Sequence, residues 1–367
     1  MAIAPAKFAT GGQARGGHEF RLIVECCRWS FTGGDFPTAH TVDPAFDWPL
    51  FLRVVRFHRV QGLVWKCLST VGADLAPDVT SALSPETYAI VAANLRIAAE
   101  ARLLRNDFEG AGVAMLFIKG MTLAKLAYSD PLLKMGWDID LLVDPQQLED
   151  AAGLLEARGY RRILPGPSVG LREWHQRHKE SVWKRDQLYV ELHTRLADNQ
   201  DLIPQINVHS ARREVAVAPG INLPTLAQDE LFAYLCVHGA SSLWFRLKWI
   251  TDLAALLSGL DPPAVERLHA RAQDLGAGRA SGSALLLADS LFGSLAGSAL
   301  RSELASDRGN RWLLKAATWQ LTGRVEPVEP TSIVGGTAAI HLSQLLLLAG
   351  FRFKLFELLR QLRSAVD

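Results

Sequence analysis

Residues 113–143 read VAMLFIKGMTLAKLAYSDPLLKMGWDIDLLV, and this stretch decides the fold class of the chain. Its opening segment, Val113–Ile118, is continuously apolar and of strand length, and it ends in a turn at Gly120. Met121–Tyr128 then has the pattern of a short helix, and Trp137–Val143 alternates like a second strand. A strand, a glycine turn, a short helix and another strand indicate a small α/β core.

More strand patterns follow. A helical pattern runs from residue 144 to residue 156, and Tyr160–Leu164 is a candidate third strand. Ser181–Lys184 and Leu188–His193 flank a short polar turn and predict a β-hairpin. We therefore expect an α+β fold in which a small mixed sheet is embedded between N-terminal and C-terminal helical regions.

The chain is expected to divide into four regions. Residues 1–45 form a tail with one short helix, and residues 46–112 form a helical region. Residues 113–223 form the α/β core, and residues 224–367 form a C-terminal helical domain. The sequence contains neither a repeat of fixed period nor a low-complexity tract.

The long helix before the core has its own boundary signals. Ser84 is the expected N-cap, and Pro85 takes the first turn, where a missing backbone N–H costs little. Gly112 is the expected stop. We therefore predict that this helix begins at Pro85 and ends at Gly112.

Composition limits the possible partners. The chain has 39 Lys and Arg against 38 Asp and Glu, a net charge of +1, so we expect no extended nucleic acid partner. Four cysteines without a CxxC motif fit a reducing cytoplasm. Met1–Gly17 lacks the apolar segment of a signal peptide, and Ala338–Phe351 is shorter than the roughly 20 residues needed to span a bilayer. We expect a cytoplasmic protein without a membrane partner.

Asp138 and Asp140 are the strongest chemical signal. Because side chains alternate along a strand, both carboxylates point to one face and repel each other. A divalent cation such as Mg²⁺ or Mn²⁺ removes the repulsion by binding oxygens of both. Glu191 supplies a third carboxylate if its strand lies beside the first. A solvated sheet face is the alternative for all three side chains.

Lys119, Gly120 and His193 are the next candidates. Gly120 lets backbone N–H groups approach a phosphate, and Lys119 adds a positive charge. His193 follows Glu191 by two residues, and we interpret it as a core histidine behind the carboxylates, outside the ligand set of a metal ion.

Together these residues resemble the polymerase-β-like nucleotidyltransferase superfamily, and within it a family of uncharacterised bacterial nucleotidyltransferases. The resemblance rests on six segments: LFIKG at 116–120, LAYSDP at 126–131, DIDLLV at 138–143, VELH at 190–193, HGA at 238–240 and LKWITDL at 247–253. It extends from about Phe51 to Leu257.

The resemblance implies a polymerase-β-like sheet and an enzyme that uses Mg²⁺ or Mn²⁺. Such an enzyme transfers a nucleoside monophosphate from an NTP to an acceptor hydroxyl and releases pyrophosphate. The acceptor is left open among a small molecule, a peptide natural product, a protein and an RNA end. The implied metal-binding and catalytic residues are Asp138, Asp140 and Glu191, and the implied nucleotide-binding residues are Lys119, Gly120, Lys134 and Lys248.

Two other functions are weighed. In the superfamily the glycine is usually followed by serine, where this chain has Met121, and this departure favours a catalytically degenerate binding or scaffold protein. The intact carboxylate trio favours an enzyme, since buried carboxylates are unfavourable without a cation. A Mn²⁺-dependent glycosyltransferase also uses an Asp-x-Asp motif, but here helices and one strand precede the motif instead of alternating strands and helices.

Two consequences are expected at the site. Asp140 is interpreted as one of an exposed pair, so Asp140→Asn should abolish transfer with little effect on stability. The three lysines are expected to converge on the triphosphate, with Lys119 at its β- and γ-phosphates.

Overall fold

The structure is a computed structural model that describes residues 17–34, 46–71, 77–322, 329 and 336–364. Four helices precede the core: α1 (Gly17–Thr32), α2 (Trp48–His58), α3 (Gln61–Val71) and α4 (Pro77–Gly110). Helix α3 packs against both α1 and α4, so these helices form one layer. The predicted tail up to residue 16 lies outside the described residues.

Helix α4 begins at Pro77, so the prediction of an N-cap at Ser84 is wrong. Pro77 takes the first-turn position, and Pro85 lies inside the helix. The ring of Pro85 removes the helical partner of the Ser81 carbonyl. Both residues are exposed, so solvent replaces that partner and the helix continues to Gly110.

A five-stranded mixed sheet forms the centre of the core. The strands are β1 (Met115–Phe117), β2 (Ile139–Val143), β3 (Arg161–Leu164), β4 (Glu180–Arg185) and β5 (Leu188–His193). Their spatial order is β1-β2-β5-β4-β3. Strands β2 and β5 are parallel, and the other neighbours are antiparallel. The predicted α+β class and mixed sheet are confirmed, and the predicted hairpin corresponds to β4 and β5.

The parallel pair of β2 and β5 positions the candidate site. Asp140 lies opposite Glu191, and Ile139 lies opposite Val190. Directly paired residues point to the same side of a sheet, so the two carboxylates share one face. Ile139 and Val190 share the other face, where both are buried in the apolar core.

A second sheet has no counterpart in the sequence analysis. Strands β6 (Arg212–Ala218) and β7 (Ile221–Leu226) form an antiparallel hairpin whose second strand continues past residue 223, the predicted end of the core. Charged residues open β6, and Pro224 lies within β7, so neither segment has a strong strand pattern. Burial of two β6 valines in the apolar core that also packs on the five-stranded sheet stabilises the hairpin.

Helices cover the sheet and form the C-terminal part. Within the core these are α5 (Met121–Ala127), α6 (Leu148–Ala157) and α7 (Leu171–Arg177). The helices described after the second sheet are α8 (Gln228–Ser241), α9 (Leu247–Leu257), α10 (Pro262–Asp274), α11 (Arg279–Phe292), α12 (Leu300–Ser306), α13 (Arg308–Thr322), α14 (Gly336–Gln344) and α15 (Phe351–Ser364). Helix α9 packs against α5, so the C-terminal helices reach the carboxylate face of the sheet. Of the helices in the described ranges, none has both the length and the apolar character to cross a membrane.

Asn94 of α4 fixes the loop that leads into β2. Its buried amide donates hydrogen bonds to the main-chain oxygens of Leu132 (2.7 Å) and Lys134 (2.8 Å). Gly136 approaches so closely that a Cβ atom there would lie 2.5 Å from Asn94 Oδ1. The loop is therefore held on α4 immediately before Asp138.

Asn94→Ala should lower the free energy of unfolding by about 2–3 kcal/mol, because the main-chain oxygens of Leu132 and Lys134 lose their donor, the latter in a buried position. Urea denaturation followed by tryptophan fluorescence measures this loss. Asn222→Ala, at an exposed position of β7, is the matched control and should change stability by less than about 0.5 kcal/mol. Equal effects of the two substitutions would contradict the anchoring role of Asn94.

Candidate active site

The turn after β1 carries Lys119 into a cavity of about 330 Å³. Gly120 has a φ of +67°, a conformation that favours glycine, and leads directly into α5. The Thr122 hydroxyl donates to the main-chain oxygen of Lys119 at 3.0 Å and holds the turn. Met121 is buried in the apolar core, so this position offers no hydroxyl where the superfamily usually has serine.

The three carboxylates singled out from the sequence line this same cavity. Strand β2 begins at Ile139, so Asp138 lies just before the strand and Asp140 lies within it. Glu191 comes from the parallel neighbour β5, directly opposite Asp140. The structure thus brings Asp138, Asp140 and Glu191 together from two segments of the chain.

Asp140 is a buried and paired anion, with 3% of its surface exposed. Its Oδ1 lies 2.7 Å from Lys119 Nζ and 3.3 Å from His193 Nε2. Burial alone would raise the pKa of Asp140, but Lys119 and His193 hold it well below its ordinary value. The interpretation of Asp140 as exposed is wrong, because the side chain is buried in a cavity to which helix α8 contributes Leu235 and His238.

Asp138 is partly exposed and differs electrostatically from Asp140. Burial raises the pKa of Asp138 to about 6, and the charges of Asp140 and Glu191 add to this effect. Lys119 and Lys248 oppose the rise without cancelling it. Burial and the neighbouring carboxylates thus both disfavour the charged form of Asp138, and a divalent cation bound by these oxygens would relieve both effects.

Asp140, Glu191 and His193 offer ligand atoms that lie within 4.8 Å of one another. Besides its contact with Asp140, His193 Nε2 lies 3.5 Å from Glu191 Oε2. This group includes His193 and does not include Asp138. The carboxylate oxygens suit Mg²⁺ and Mn²⁺, whereas imidazole ligands are typical of Zn, Cu, Fe and Ni. The donor set fits a divalent cation held by carboxylates, with His193 contacting both of them.

Lys134 and Lys248 line the cavity from the loop before β2 and from α9. Lys134 Nζ lies 3.4 Å from Asp252 Oδ2, and both side chains are buried. Burial lowers the pKa of Lys248 to about 8, and the nearby charge of Lys134 contributes. All three predicted lysines therefore reach one cavity, but Lys119 lies among the carboxylates, whereas Lys134 is paired with Asp252.

Lys179 and Glu180 also line the cavity, and the sequence analysis did not select them. The two side chains form an ion pair with each other, and Glu180 Oε2 lies 3.4 Å from His193 Nδ1. Glu180 is directly opposite His193 in the antiparallel pair of β4 and β5. If the first strand of the predicted hairpin is extended by one residue, from Ser181 to Glu180, the sequence pairs Glu180 with His193. The hairpin pattern could therefore have identified Glu180 as a site residue.

Helices outside the sheet supply the other walls. His238 of α8 packs edge-on against Trp249 of α9, with ring centroids 5.4 Å apart. Burial lowers the pKa of His238 well below its ordinary value, and Lys119 adds to the effect. Arg59, which follows α2, completes this wall. No local motif marks Arg59, since its proximity to the site arises only from helix packing.

The mixed sheet presents carboxylates from two neighbouring strands to a lysine-lined cavity, an arrangement consistent with a nucleotidyltransferase fold. A family model described as an uncharacterised nucleotidyltransferase matches residues 44–293, more than half of the chain. The chain belongs to this family, as its sequence motifs predicted, and is therefore a member of a transferase family. This membership leaves the glycosyltransferase alternative without support.

The match includes the helices that wall the cavity. It begins before α2 and ends after α11, so Arg59, His238 and Lys248 all lie inside it. The matched range thus contains all the residues that line the cavity, and not the sheet alone. A comparison with curated proteins found no match.

Proposed function

We propose that this protein is a Mg²⁺- or Mn²⁺-dependent nucleotidyltransferase that transfers a nucleoside monophosphate from an NTP to an acceptor hydroxyl. The observation that supports this most is a single cavity that offers oxygen ligands for a cation and positive charges for phosphates. Its carboxylates are Asp138, Asp140 and Glu191, and its lysines include Lys119, Lys134 and Lys248.

The proposed reaction is an in-line displacement at the α-phosphorus. The acceptor oxygen forms a bond to this phosphorus, the bond to the bridging oxygen breaks, and pyrophosphate leaves. The acceptor proton passes to the carboxylate cluster. Divalent cations, when bound, would lower the pKa of the acceptor hydroxyl and neutralise the leaving group. Asp138, Asp140 and Glu191 would hold these cations.

The surrounding residues position the carboxylates. His193 contacts both Asp140 and Glu191, which restricts the rotation of their side chains. Lys119 balances the buried charge of Asp140 and lies next to Gly120, where the turn gives the nucleotide close access to the backbone. Positioning of this kind supplies much of the rate enhancement in phosphoryl chemistry.

Pyrophosphate release tests the proposal directly. The protein is incubated with Mg²⁺ and one NTP at a time, ATP, GTP, CTP or UTP. Each NTP carries a label on its nucleoside monophosphate part, and each incubation is run alone and with fractions of a cell lysate. The fraction that raises pyrophosphate release is then searched for the labelled acceptor among small molecules, peptides, proteins and RNA. Stoichiometric label transfer and pyrophosphate release support the proposal, and hydrolysis without transfer contradicts it.

Removal of the divalent cation should weaken NTP binding by about tenfold or more, because the phosphates then face the carboxylates without compensation. With Mg²⁺ we expect the dissociation constant of the NTP between about 1 μM and 1 mM. Isothermal titration calorimetry with Mg²⁺ and with EDTA measures both values. The corresponding NMP serves as the control, since its single phosphate should be less sensitive to the cation. Equal NTP affinity in EDTA would argue against a metal-assisted site.

A catalytically degenerate nucleotide-binding protein is the second candidate function. Two observations favour it: Lys119 already balances Asp140 at 2.7 Å, and the position directly after Gly120 is Met121, which has no hydroxyl. The degenerate protein would bind an NTP in the calorimeter without pyrophosphate release in any lysate fraction. The two assays together therefore separate it from the enzyme.

A further inference from the structure

Arg59 ends helix α2 in a backbone conformation that usually belongs to glycine, with φ 58° and ψ 43°. Its N–H donates to the Arg56 carbonyl at 3.1 Å, and the Val60 N–H donates to the Val55 carbonyl at 3.3 Å. These two hydrogen bonds form a Schellman cap, in which glycine is the favoured residue at this position. The chain instead has an arginine whose side chain lines the active-site cavity.

The cations of the cavity fall into two sets. Lys119 pairs with Asp140 and Lys179 pairs with Glu180, so each of these lysines has its own carboxylate. The second set consists of Arg59, Lys134 and Lys248, which we call the cationic cluster.

The cationic cluster has more positive than negative charge. Lys134 pairs with Asp252, whose other oxygen accepts a hydrogen bond from the Tyr128 hydroxyl at 2.8 Å. In the ranges that the structure describes, no carboxylate oxygen lies within 4.0 Å of a side-chain nitrogen of Arg59 or Lys248. Within the described residues, Asp252 is thus the only carboxylate that pairs directly with any of these three cations.

The electrostatics of Lys248 agree with this imbalance. Burial lowers its pKa to about 8, and the charges of Lys134 and Arg59 lower it further, against the opposing effects of Asp138 and Asp252. Cations held together in a partly buried cavity form a favourable site for an anion that carries several charges.

We propose that Arg59, Lys134 and Lys248 bind the β- and γ-phosphates of the nucleoside triphosphate, so that the N-terminal helical region completes the nucleotide site. The inference rests on the proposed function for the identity of the anion as a nucleotide. The guanidinium of Arg59 provides two parallel N–H donors for phosphate oxygens, which a lysine cannot provide. Lys119 remains beside Asp140, at the carboxylate end of the cavity.

Calorimetric binding of three probes in the presence of Mg²⁺ tests this inference. The probes are the NTP that binds most tightly among the four, its NMP, and inorganic tripolyphosphate. Arg59→Gln should weaken NTP and tripolyphosphate binding by about 10- to 100-fold and NMP binding by less than about 3-fold. Arg56→Gln is the matched control on the same helix. It should leave all three affinities unchanged, because Arg56 pairs with Glu86 and does not line the cavity.

Arg59→Gly separates phosphate binding from a structural role. Glycine relieves the left-handed conformation, so the melting temperature should stay the same or rise by about 1–2 °C while NTP binding weakens as in Arg59→Gln. A lower melting temperature with unchanged NTP affinity would show that the arginine is structural and would overturn the inference.

The probes also distinguish failure of this inference from failure of the proposed function. The inference is overturned if Arg59→Gln binds the NTP as tightly as the wild type does, or if its affinities for NTP and NMP fall equally. Either result leaves the proposed function intact. A wild-type protein that binds no NTP overturns the proposed function. In that case, tripolyphosphate binding that is lost in Arg59→Gln would still support the phosphate site. If the wild-type protein does not bind tripolyphosphate, the inference of a phosphate site is overturned as well.

Discussion

Asp140→Asn is expected to lower the rate of nucleotidyl transfer by about 10³-fold or more, because it removes the charge of one of the two carboxylates in the candidate ligand group. Pyrophosphate release at saturating NTP and Mg²⁺ measures the loss. Asp186→Asn is the control, since Asp186 lies in the turn between β4 and β5 with φ 53°, a conformation that asparagine also tolerates. A wild-type rate for Asp140→Asn would remove this residue from the catalytic machinery.

The same substitution should destabilise the protein, in contrast to the expectation from the sequence. Neutralising Asp140 leaves the largely buried Lys119 without its direct partner, at a cost of about 3 kcal/mol in the free energy of unfolding. In the double variant Lys119→Met/Asp140→Asn, both charges of the pair are absent, so most of the stability should return while activity stays lost. Thermal melts of the single and double variants check this. A single variant as stable as wild type would show that Lys119 is compensated elsewhere.

Gly239→Ala is expected to lower the free energy of unfolding by about 3 kcal/mol and the melting temperature by about 6 °C. A Cβ atom at this position would lie 2.1 Å from the ring of Trp244, which is 2% exposed. The main-chain N–H of Trp244 also donates to the Gly239 carbonyl at 2.9 Å, so the backbones of the two residues are held together. Movement of Trp244 would displace the turn into α9 and therefore Lys248, so activity should fall as well.

Gly153→Ala provides the matched control for this prediction. Gly153 lies in α6 at an exposed position with nothing within 4 Å of an added Cβ atom. Alanine there should stabilise the protein by about 0.5–1 kcal/mol, because glycine loses more backbone entropy in a helix. The two substitutions are chemically identical and should change the melting temperature in opposite directions. A decrease for both, or for neither, would contradict the close packing at Gly239.

Local sequence patterns predicted the elements whose formation depends on nearby residues. Alternation in Trp137–Val143 and the glycine at 120 predicted β2 and the turn before α5, because side-chain direction and a positive φ are properties of single residues and their neighbours. The same reasoning failed for α4, where Pro85 is compatible with a helix interior on an exposed face. It also missed the hairpin of β6 and β7, whose burial in the apolar core around the five-stranded sheet outweighs weak strand propensity.

By itself, the sequence determined the α+β class, the family motifs and the carboxylates that share one cavity. Only the tertiary structure decided which charged groups in that cavity are buried and which of them pair with one another. It decided that Asp140 is buried, that Lys119 pairs with it, and that Arg59 lines the same cavity as Lys134, Lys248 and Asp252. The physical reason is that electrostatic energies depend on distance and on exclusion of water. Both are set by the packing of helices far apart in the chain, and a local pattern contains neither.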